Sequence, residues 1–208
     1  PNNNVEVTPK EIIVHQRGDT AFNHYVWEEN VLKHNFKPLP DMFKLTCLDK
    51  ENNLYDIDVL DCKSSPIFGY VINTSRLHWR KEMEERFENN PEDAETYAKS
   101  HRFCINGEGL TEDEIREQKQ NLANKIFAIG YMLHRFKSPS RAWAPQAMDN
   151  KIGENGECNG RSGKSFLFKT LSLFMKSVKL SGRNPKLMDN PHVFDQVNVH
   201  TDFVLVDD

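Results

Sequence analysis

The sequence predicts an α/β protein in which a partial parallel sheet follows a mainly helical region with a small β-hairpin. Three observations lead to this prediction. The glycine-rich run 156–165 precedes an apolar stretch with helical spacing. The four apolar residues Phe203–Val206 end on two acids, which is typical of a buried parallel strand. Two segments within 43–60 flank a polar turn, as in a hairpin.

The first forty residues are predicted to form two helices. Thr8–Glu11 has the form of a capping box with proline at the first helical position, and Gly18 ends the short helix that it opens. A second helix is expected from Asp19 or Thr20, and the prolines of 37–40 break it. Its apolar face contains Phe22, Tyr25, Val26 and Leu32.

The hairpin strands are expected at 43–48 and 54–60, with the turn at 49–53. Tyr55, Ile57 and Val59 alternate with acids that we interpret as a solvated strand face and not as a metal site. A charged helix is predicted over 75–89, and its basic residues beside Trp79 are interpreted as a solvated face, because three glutamates follow. Asn90-Pro91 is predicted to open another short helix.

A long helix is predicted to begin at the capping box Thr111–Glu114 and to end near 137. Its apolar positions recur three, four or seven apart, at Ile115, Leu122, Ile126, Ile129 and Leu133. Residues 142–148 are expected to form the strand that leads into the glycine-rich run, although Pro145 suits only an edge or a bulge. This division predicts two domains, 1–137 and 138–208.

The glycine-rich run has the composition of a phosphate-binding loop. Such a loop needs glycines so that backbone N–H groups surround phosphate oxygens, a lysine for the β- and γ-phosphates, and a Ser/Thr hydroxyl for Mg²⁺. Gly163, Lys164 and Ser165 supply the second half of this pattern, whereas Cys158 replaces its first glycine. A helix over 166–178 would place the phosphate at its N-terminus. The alternative is a glycine-rich surface turn before a core helix.

The apolar strand near the end of the sequence supports the phosphate-binding interpretation. Asp207 is expected to hold Mg²⁺ through water, and Asp208 to polarise the attacking water. A short strand ending near Leu180 and a helix from Asn190-Pro191 are expected between the two motifs. Lys164, Asp207 and Asp208 are therefore the predicted catalytic residues. The expected ATP contacts are Gly160, Arg161, Ser162, Gly163, Lys164, Ser165 and Phe166, and the expected Mg²⁺ ligands are Ser165 and Asp207.

The chain resembles the ATPase part of phage- and plasmid-type primase-helicases, in the superfamily III helicase branch of AAA+ ATPases. The closest resemblance is to mobile-element proteins of Bacteroides-type bacteria. It rests on the segments 129–137, 147–153, 156–165, 180–184 and 200–208. The resemblance implies a P-loop NTPase core that uses ATP and Mg²⁺, acts on DNA, in particular single-stranded DNA, and assembles as a homo-oligomeric ring. It also implies that an arginine from a neighbouring subunit completes hydrolysis.

Composition sets broad limits on the class of protein. The net charge of −4 provides no overall basic field for nucleic acid, although a local basic surface remains compatible with it. No run of eighteen apolar residues or signal peptide is apparent, so we expect no membrane partner. The four scattered cysteines favour reduced thiols and a cytoplasmic location. The first residue, Pro1, and the terminal motif suggest a piece of a longer polypeptide.

Three functions remain open from the sequence. The first is the ATP-driven motor of a DNA helicase used in replication of a phage or mobile element. The second is another P-loop enzyme, such as a small-molecule kinase, although Arg183 is the one arginine after the loop helix, where a kinase lid is rich in arginine. The third is a non-enzymatic module that docks DNA or protein and retains a vestigial loop. Nucleotide binding separates the third from the others.

Overall fold

The computed structural model describes residues 3–8, 10–26, 28, 31, 36–134, 138–140, 142–148, 163–184, 187 and 189–207. The chain forms two compact units, Pro1–Pro38 and Leu39–Asp208. The fold is mixed α/β, and the strands of the described residues form three separate two-stranded sheets.

The N-terminal unit contains a hairpin where a helix was predicted. Strands β1 (Asn3–Val7) and β2 (Ile12–Gln16) pair antiparallel. The Thr8 hydroxyl accepts hydrogen bonds from the N–H groups of Lys10 and Glu11, so the expected capping box closes the hairpin turn. The β-branched residues before and after the turn favour strands and pair across the ladder. The second predicted helix is also wrong over residues 20–26, which contain no helix.

The second unit begins with the hairpin that the sequence predicts. Strands β3 (Phe43–Asp49) and β4 (Leu54–Val59) pair antiparallel. The Asp49 carboxylate accepts hydrogen bonds from the N–H groups of Glu51 and Asn52, which stabilises the turn. Ile57 faces the core and is completely buried.

Helix α1 (Pro66–Asn73) follows and was not predicted. Ser65 caps it by accepting the Phe68 N–H at 3.2 Å, and Pro66 occupies the first turn. The helix buries Phe68, Val71 and Ile72. Its short length and nearly continuous apolar composition conceal a helical period, which explains why the pattern was missed.

The helix predicted over 75–89 is interrupted. Turns precede a π-helix, Arg80–Glu85, and further turns follow it. The π-helix places Glu82 in the interior, where its carboxylate forms an ion pair with buried Arg76. Helix α2 (Pro91–Ser100) then begins at the predicted Asn90-Pro91.

Helix α3 (Glu112–Met132) confirms the second capping box. The Thr111 hydroxyl accepts the Glu114 N–H at 3.3 Å, and the Glu114 carboxylate accepts the Thr111 N–H at 2.7 Å. Leu122 from this helix is completely buried. Among the described residues, no helix combines the length and the hydrophobicity required to cross a bilayer. The buried core cluster comprises Ile57, Phe68, Val71, Ile72, Ile105, Leu122 and Leu167.

The C-terminal part contains some of the elements of the predicted parallel sheet. Residues 142–148 form no strand, which corrects the prediction and agrees with the missing N–H of Pro145. Helix α4 (Lys164–Leu171) ends seven residues before its predicted end, because Val178 already belongs to strand β5 (Ser177–Ser181). Strand β6 (Phe203–Asp207) pairs parallel with β5. Turns over 191–196 replace the helix expected from Asn190-Pro191.

Candidate functional site

The site is built around the first residues of α4, and Gly163 determines how the chain enters this helix. Its φ of +82° lies in the left-handed region that favours glycine. A Cβ atom at this position would lie 2.0 Å from the Tyr70 hydroxyl, so the close approach of α1 also requires glycine. The Tyr70 hydroxyl donates a hydrogen bond of 2.7 Å to the Gly163 carbonyl. Tyr70 thereby holds the start of α4 against α1.

Apolar contacts fix the rest of α4. Leu167, Phe168 and Leu171 are buried, and Leu167 belongs to the main core cluster. Phe166 is half exposed and packs edge-on against the Tyr70 ring, with centroids 4.8 Å apart. The buried face of the helix thus orients its first turn, where the helix dipole favours an anion.

The end of β6 delivers a carboxylate to the same place. Asp207 is the last residue of the strand and lies opposite Ser181 of β5 in the parallel ladder. The Ser165 hydroxyl, in the first turn of α4, donates a hydrogen bond of 2.8 Å to Oδ1 of Asp207. The two residues predicted as Mg²⁺ ligands are therefore in direct contact.

Two lysines neutralise the other carboxylate oxygen of Asp207. The ammonium groups of Lys179 and Lys169 lie 2.9 Å and 3.1 Å from Oδ2. Hydrogen bonds from Lys179, Ser165 and Lys169, in decreasing order of effect, hold the pKa of Asp207 well below its usual range. Asp207 is thus anionic at neutral pH, and its side chain is only 10% exposed.

The structure brings together five of the predicted site residues. Gly163, Lys164, Ser165 and Phe166 form the start of α4, and Asp207 lies beside Ser165. The other predicted site residues lie outside the described part of the chain: Gly160, Arg161, Ser162 and Asp208. Cys158 of the glycine-rich run also lies outside it.

Sequence reasoning missed three residues that shape this site. Lys169 lies four positions after Ser165, which directly precedes the helix predicted over 166–178, so the helical period places both on one face. Lys179 shares a strand face with Ser177 and Ser181 by alternation, which also offered a signal. Tyr70 lies 93 residues before Gly163, and no local pattern connects the two.

A cavity of about 930 Å³ opens beside the start of α4. Gly163 and Lys164 line one part of it, and one polar face of α3 lines another. The α3 residues recur at helical spacing, as Asp113, Arg116, Glu117, Gln120, Asn121, Asn124, Lys125 and Ala128. A phosphate-bearing ligand at α4 would therefore have space for its remainder in this cavity.

The donor set suits Mg²⁺ that is shared with a phosphate ligand. Ser165 and Asp207 offer a hydroxyl and a carboxylate oxygen, which are the hard ligands that Mg²⁺ prefers. No group of three or more His, Cys, Asp or Glu side chains with metal-binding geometry occurs in the part of the chain that the structure describes. The residues present therefore fit a cation held by one carboxylate plus substrate phosphates, and not an all-protein metal cage.

Comparisons with protein-family models, curated proteins and solved structures gave no match to this chain. The start of α4 and the end of β6 bring together a hydroxyl, a lysine-bearing helix N-terminus and a carboxylate.

Proposed function

We propose that this chain binds ATP with Mg²⁺ and forms the nucleotide-hydrolysing motor part of a DNA helicase of the primase-helicase type. The observation that carries the proposal is the hydrogen bond between Ser165 and Asp207. In a phosphate-binding loop followed by an acid-bearing strand, these are the two positions that share the cation. The parallel pairing of β5 with β6 supports the proposal of a partial P-loop core, in which the two strands and α4 would be the parts that the structure describes.

Each residue has a defined role in this proposal. Backbone N–H groups from Gly160 to Phe166 would contact the phosphates, and Lys164 would add a positive charge. Bound Mg²⁺ would supply charge neutralisation at the phosphates. Ser165 and Asp207 would hold the cation, and Asp208 would orient and polarise the attacking water.

Lys169 and Lys179 balance the negative charge of the proposed site. Both ammonium groups contact the carboxylate oxygen that faces away from Ser165. Their positive charge limits the cost of holding the largely buried Asp207 carboxylate. Mg²⁺ would therefore compete with these two lysines for Asp207.

DNA and a ring assembly belong to the proposal through the resemblance described above. A helicase motor converts nucleotide turnover into movement on DNA, and AAA+ rings complete each site with an arginine from a neighbouring subunit. Such an arginine increases the rate of hydrolysis by about 10³ to 10⁵. The chain studied alone should therefore bind ATP far better than it hydrolyses it.

A second function is favoured by the same lysines. The contacts of Ser165, Lys169 and Lys179 with Asp207 also connect α4 to the β5–β6 pair and can serve a structural role. In that case the chain would be a non-enzymatic docking module that binds no nucleotide. Nucleotide binding decides between the two functions, and DNA-stimulated turnover separates a helicase from a kinase-like P-loop enzyme.

A nucleotide titration of the full chain tests the proposal. We expect the protein to bind fluorescent ADP or ATP in the presence of Mg²⁺, and Lys164→Ala to remove binding because phosphate charge loses its main partner. Lys99→Ala is the matched control, since Lys99 is exposed and forms an ion pair with Glu95. Absence of binding by the parent protein, or equal binding by Lys164→Ala, would contradict the proposal.

A further inference from the structure

The cavity beside α4 contains a second lysine, Lys125, which comes from α3 and lies 39 positions before Lys164 in the sequence. Its ammonium group donates hydrogen bonds to the carbonyl and the hydroxyl of Thr74, the residue that follows α1. Both acceptors are neutral. Within the described part of the chain, no carboxylate lies within ion-pair distance of Lys125. Lys119, about one and a half turns earlier in α3, differs because it pairs with Asp56 at 2.8 Å.

The other charged side chains of the cavity lining do not balance Lys125. Arg76 pairs with buried Glu82, Arg116 with Asp113 at 2.8 Å, and Glu117 with His78 at 2.8 Å. Lys125 thus brings to this end of the cavity a positive charge that no carboxylate of the described residues neutralises in an ion pair. An anionic ligand would remove the cost of keeping a partly buried ammonium group without a counter-charge.

Thr74 connects Lys125 to the start of α4. The Thr74 methyl carbon lies 3.5 Å from the position that a Cβ atom would occupy on Gly163. The hydroxyl of the same side chain accepts the Lys125 hydrogen bond at 3.4 Å. One threonine side chain therefore separates the Lys125 ammonium group from the glycine at which the phosphate-binding turn enters α4.

We propose that Lys125 is a second phosphate-contacting cation of the nucleotide site, supplied to the bound nucleotide by α3 from the cavity side. This inference rests on the proposed nucleotide-binding function. The lysine side chain is long enough to exchange its Thr74 contacts for a phosphate oxygen. A cation from α3 would also couple the nucleotide to the helix that carries the core residue Leu122.

A capping role for Lys125 is the alternative. Its ammonium group lies at the C-terminal end of α1, where a positive charge interacts favourably with the helix dipole. A lysine that only caps α1 would change the stability of the protein when it is replaced. It would not change how nucleotide affinity depends on pH.

The protonation of Lys125 supplies the required readout. Burial lowers the pKa of its ammonium group to about 8, so the charge is lost within an accessible pH range. If the ammonium contacts phosphate, nucleotide affinity should fall by about tenfold between pH 7 and pH 9, as the charge disappears. The Lys125 variants keep the other charged groups of the cavity lining, which are Arg76, Asp113, Arg116, Glu117 and Lys164, so any pH effect of these groups would appear in every curve.

The experiment measures the Kd of ADP at several pH values for the parent protein and three variants. We expect Lys125→Met to bind about tenfold more weakly at pH 7 with little pH dependence between 7 and 9. Lys125→Arg should retain affinity across the whole range, because guanidinium stays charged. Lys119→Met, from the same helix but with its charge on Asp56, should follow the parent curve.

The outcomes separate this inference from the proposed function. If Lys164→Ala loses binding while Lys125→Met keeps the parent affinity and pH profile, the nucleotide site stands and the role of Lys125 is refuted. If Lys125→Met is less stable but binds with the parent pH profile, Lys125 only caps α1. If the parent protein binds no ADP, both proposals fail.

Discussion

The hydroxyl of Ser165 donates a 2.8 Å hydrogen bond to Oδ1 of Asp207, a residue 42 positions further along the chain. Two separate packing interactions position the two residues of this hydrogen bond. Leu167 inserts into the core and orients α4, while the parallel ladder with β5 sets the position at which β6 ends. The meeting of a helix N-terminus with a strand C-terminus thus creates a charged site whose parts are far apart in sequence.

Asp207→Asn should weaken the Mg²⁺ dependence of nucleotide binding, because an amide is a poorer ligand for a hard cation than a carboxylate. In the parent protein, Mg·ATP at a hundredfold excess over its Kd should stabilise the fold by about 2.7 kcal/mol. For a chain of this size, that corresponds to a rise in Tm of about 5–11 °C. The variant should retain only the part of this rise that is seen without Mg²⁺.

Thermal unfolding with ATP, with and without Mg²⁺, measures the effect of Asp207→Asn. Asp195→Asn serves as the control, since the exposed Asp195 carboxylate contacts His192 and lies in a turn before β6. An Asp207→Asn protein that keeps the full Mg²⁺-dependent shift would rule out Asp207 as a cation ligand.

Replacing both Lys169 and Lys179 by methionine should increase the affinity for Mg²⁺ by several-fold, because an uncompensated Asp207 carboxylate attracts the cation more strongly. A Mg²⁺ titration at fixed nucleotide concentration gives the midpoint, and Lys99→Met is the surface control. An unchanged or weaker affinity for Mg²⁺ would mean that the lysines assist the bound state instead of competing with the cation.

The same double variant should lose stability relative to the parent protein above pH 4. Hydrogen bonds from Lys179, Ser165 and Lys169 hold the pKa of Asp207 in the folded protein below 3.8, the ordinary value of an aspartate. Its contribution to the free energy of unfolding is therefore present above pH 3.8 and is lost as the pH falls through the folded pKa. The difference in stability between the two proteins should shrink as the solution is acidified.

Glu82→Gln should destabilise the second unit by about 3–5 kcal/mol, because it leaves the Arg76 guanidinium buried without a counter-charge. The Tyr97 hydroxyl also donates a 2.8 Å hydrogen bond to Glu82, so the loss affects a connected cluster. Urea unfolding measures the change. Glu84→Gln, which alters an exposed pair with Arg80, should cost less than about 1 kcal/mol.

A double replacement provides the second arm of this test. Arg76→Met combined with Glu82→Leu should recover much of the stability that Glu82→Gln loses, since apolar residues of similar volume remove both buried charges. A double variant as unstable as Glu82→Gln would show that shape, and not charge, limits this cluster.

His15 should titrate above 6.5 in the N-terminal unit. Its imidazole contacts the carboxylates of Glu6 at 2.9 Å and Asp19 at 3.1 Å, and these hydrogen bonds raise its pKa, with Glu6 having the larger effect. The resulting stabilisation is complete below pH 6.5 and is lost as the pH rises through the folded pKa.

An NMR titration of the His15 ring checks this shift directly. Glu6→Gln should lower the pKa of His15 more than Asp19→Asn does, in keeping with the order of their contributions. A His15 pKa at or below 6.5 in the parent protein would contradict the observed contacts.

The local sequence predicted an element correctly where the end signals and the apolar period indicated the same structure. The capping box Thr111–Glu114 opens α3 because a helical repeat continues behind it, and 43–60 alternates as a hairpin should. Thr8–Glu11 has the same capping pattern but connects two strands, β1 and β2. There the β-branched residues on both sides pair across a ladder, and this pairing outweighs the local preference. The capping-box pattern therefore predicts which hydrogen bonds the side chains can form, but not whether they occur in a helix or in a hairpin.

The sequence by itself also predicted that Lys164, Ser165 and Asp207 belong to one site, because the spacing of glycines, lysine and hydroxyl has a chemical meaning without coordinates. The structure places Ser165 and Asp207 in contact. Only the tertiary structure shows that Tyr70 forms a hydrogen bond with Gly163, that two lysines form ion pairs with Asp207, and that Lys125 of α3 lines the cavity. These contacts join residues that share no period or motif. They form because α1 and α3 pack around one apolar core. The hydrophobic effect is non-directional, so it does not specify which polar side chains meet, and the positions of the packed elements decide those contacts.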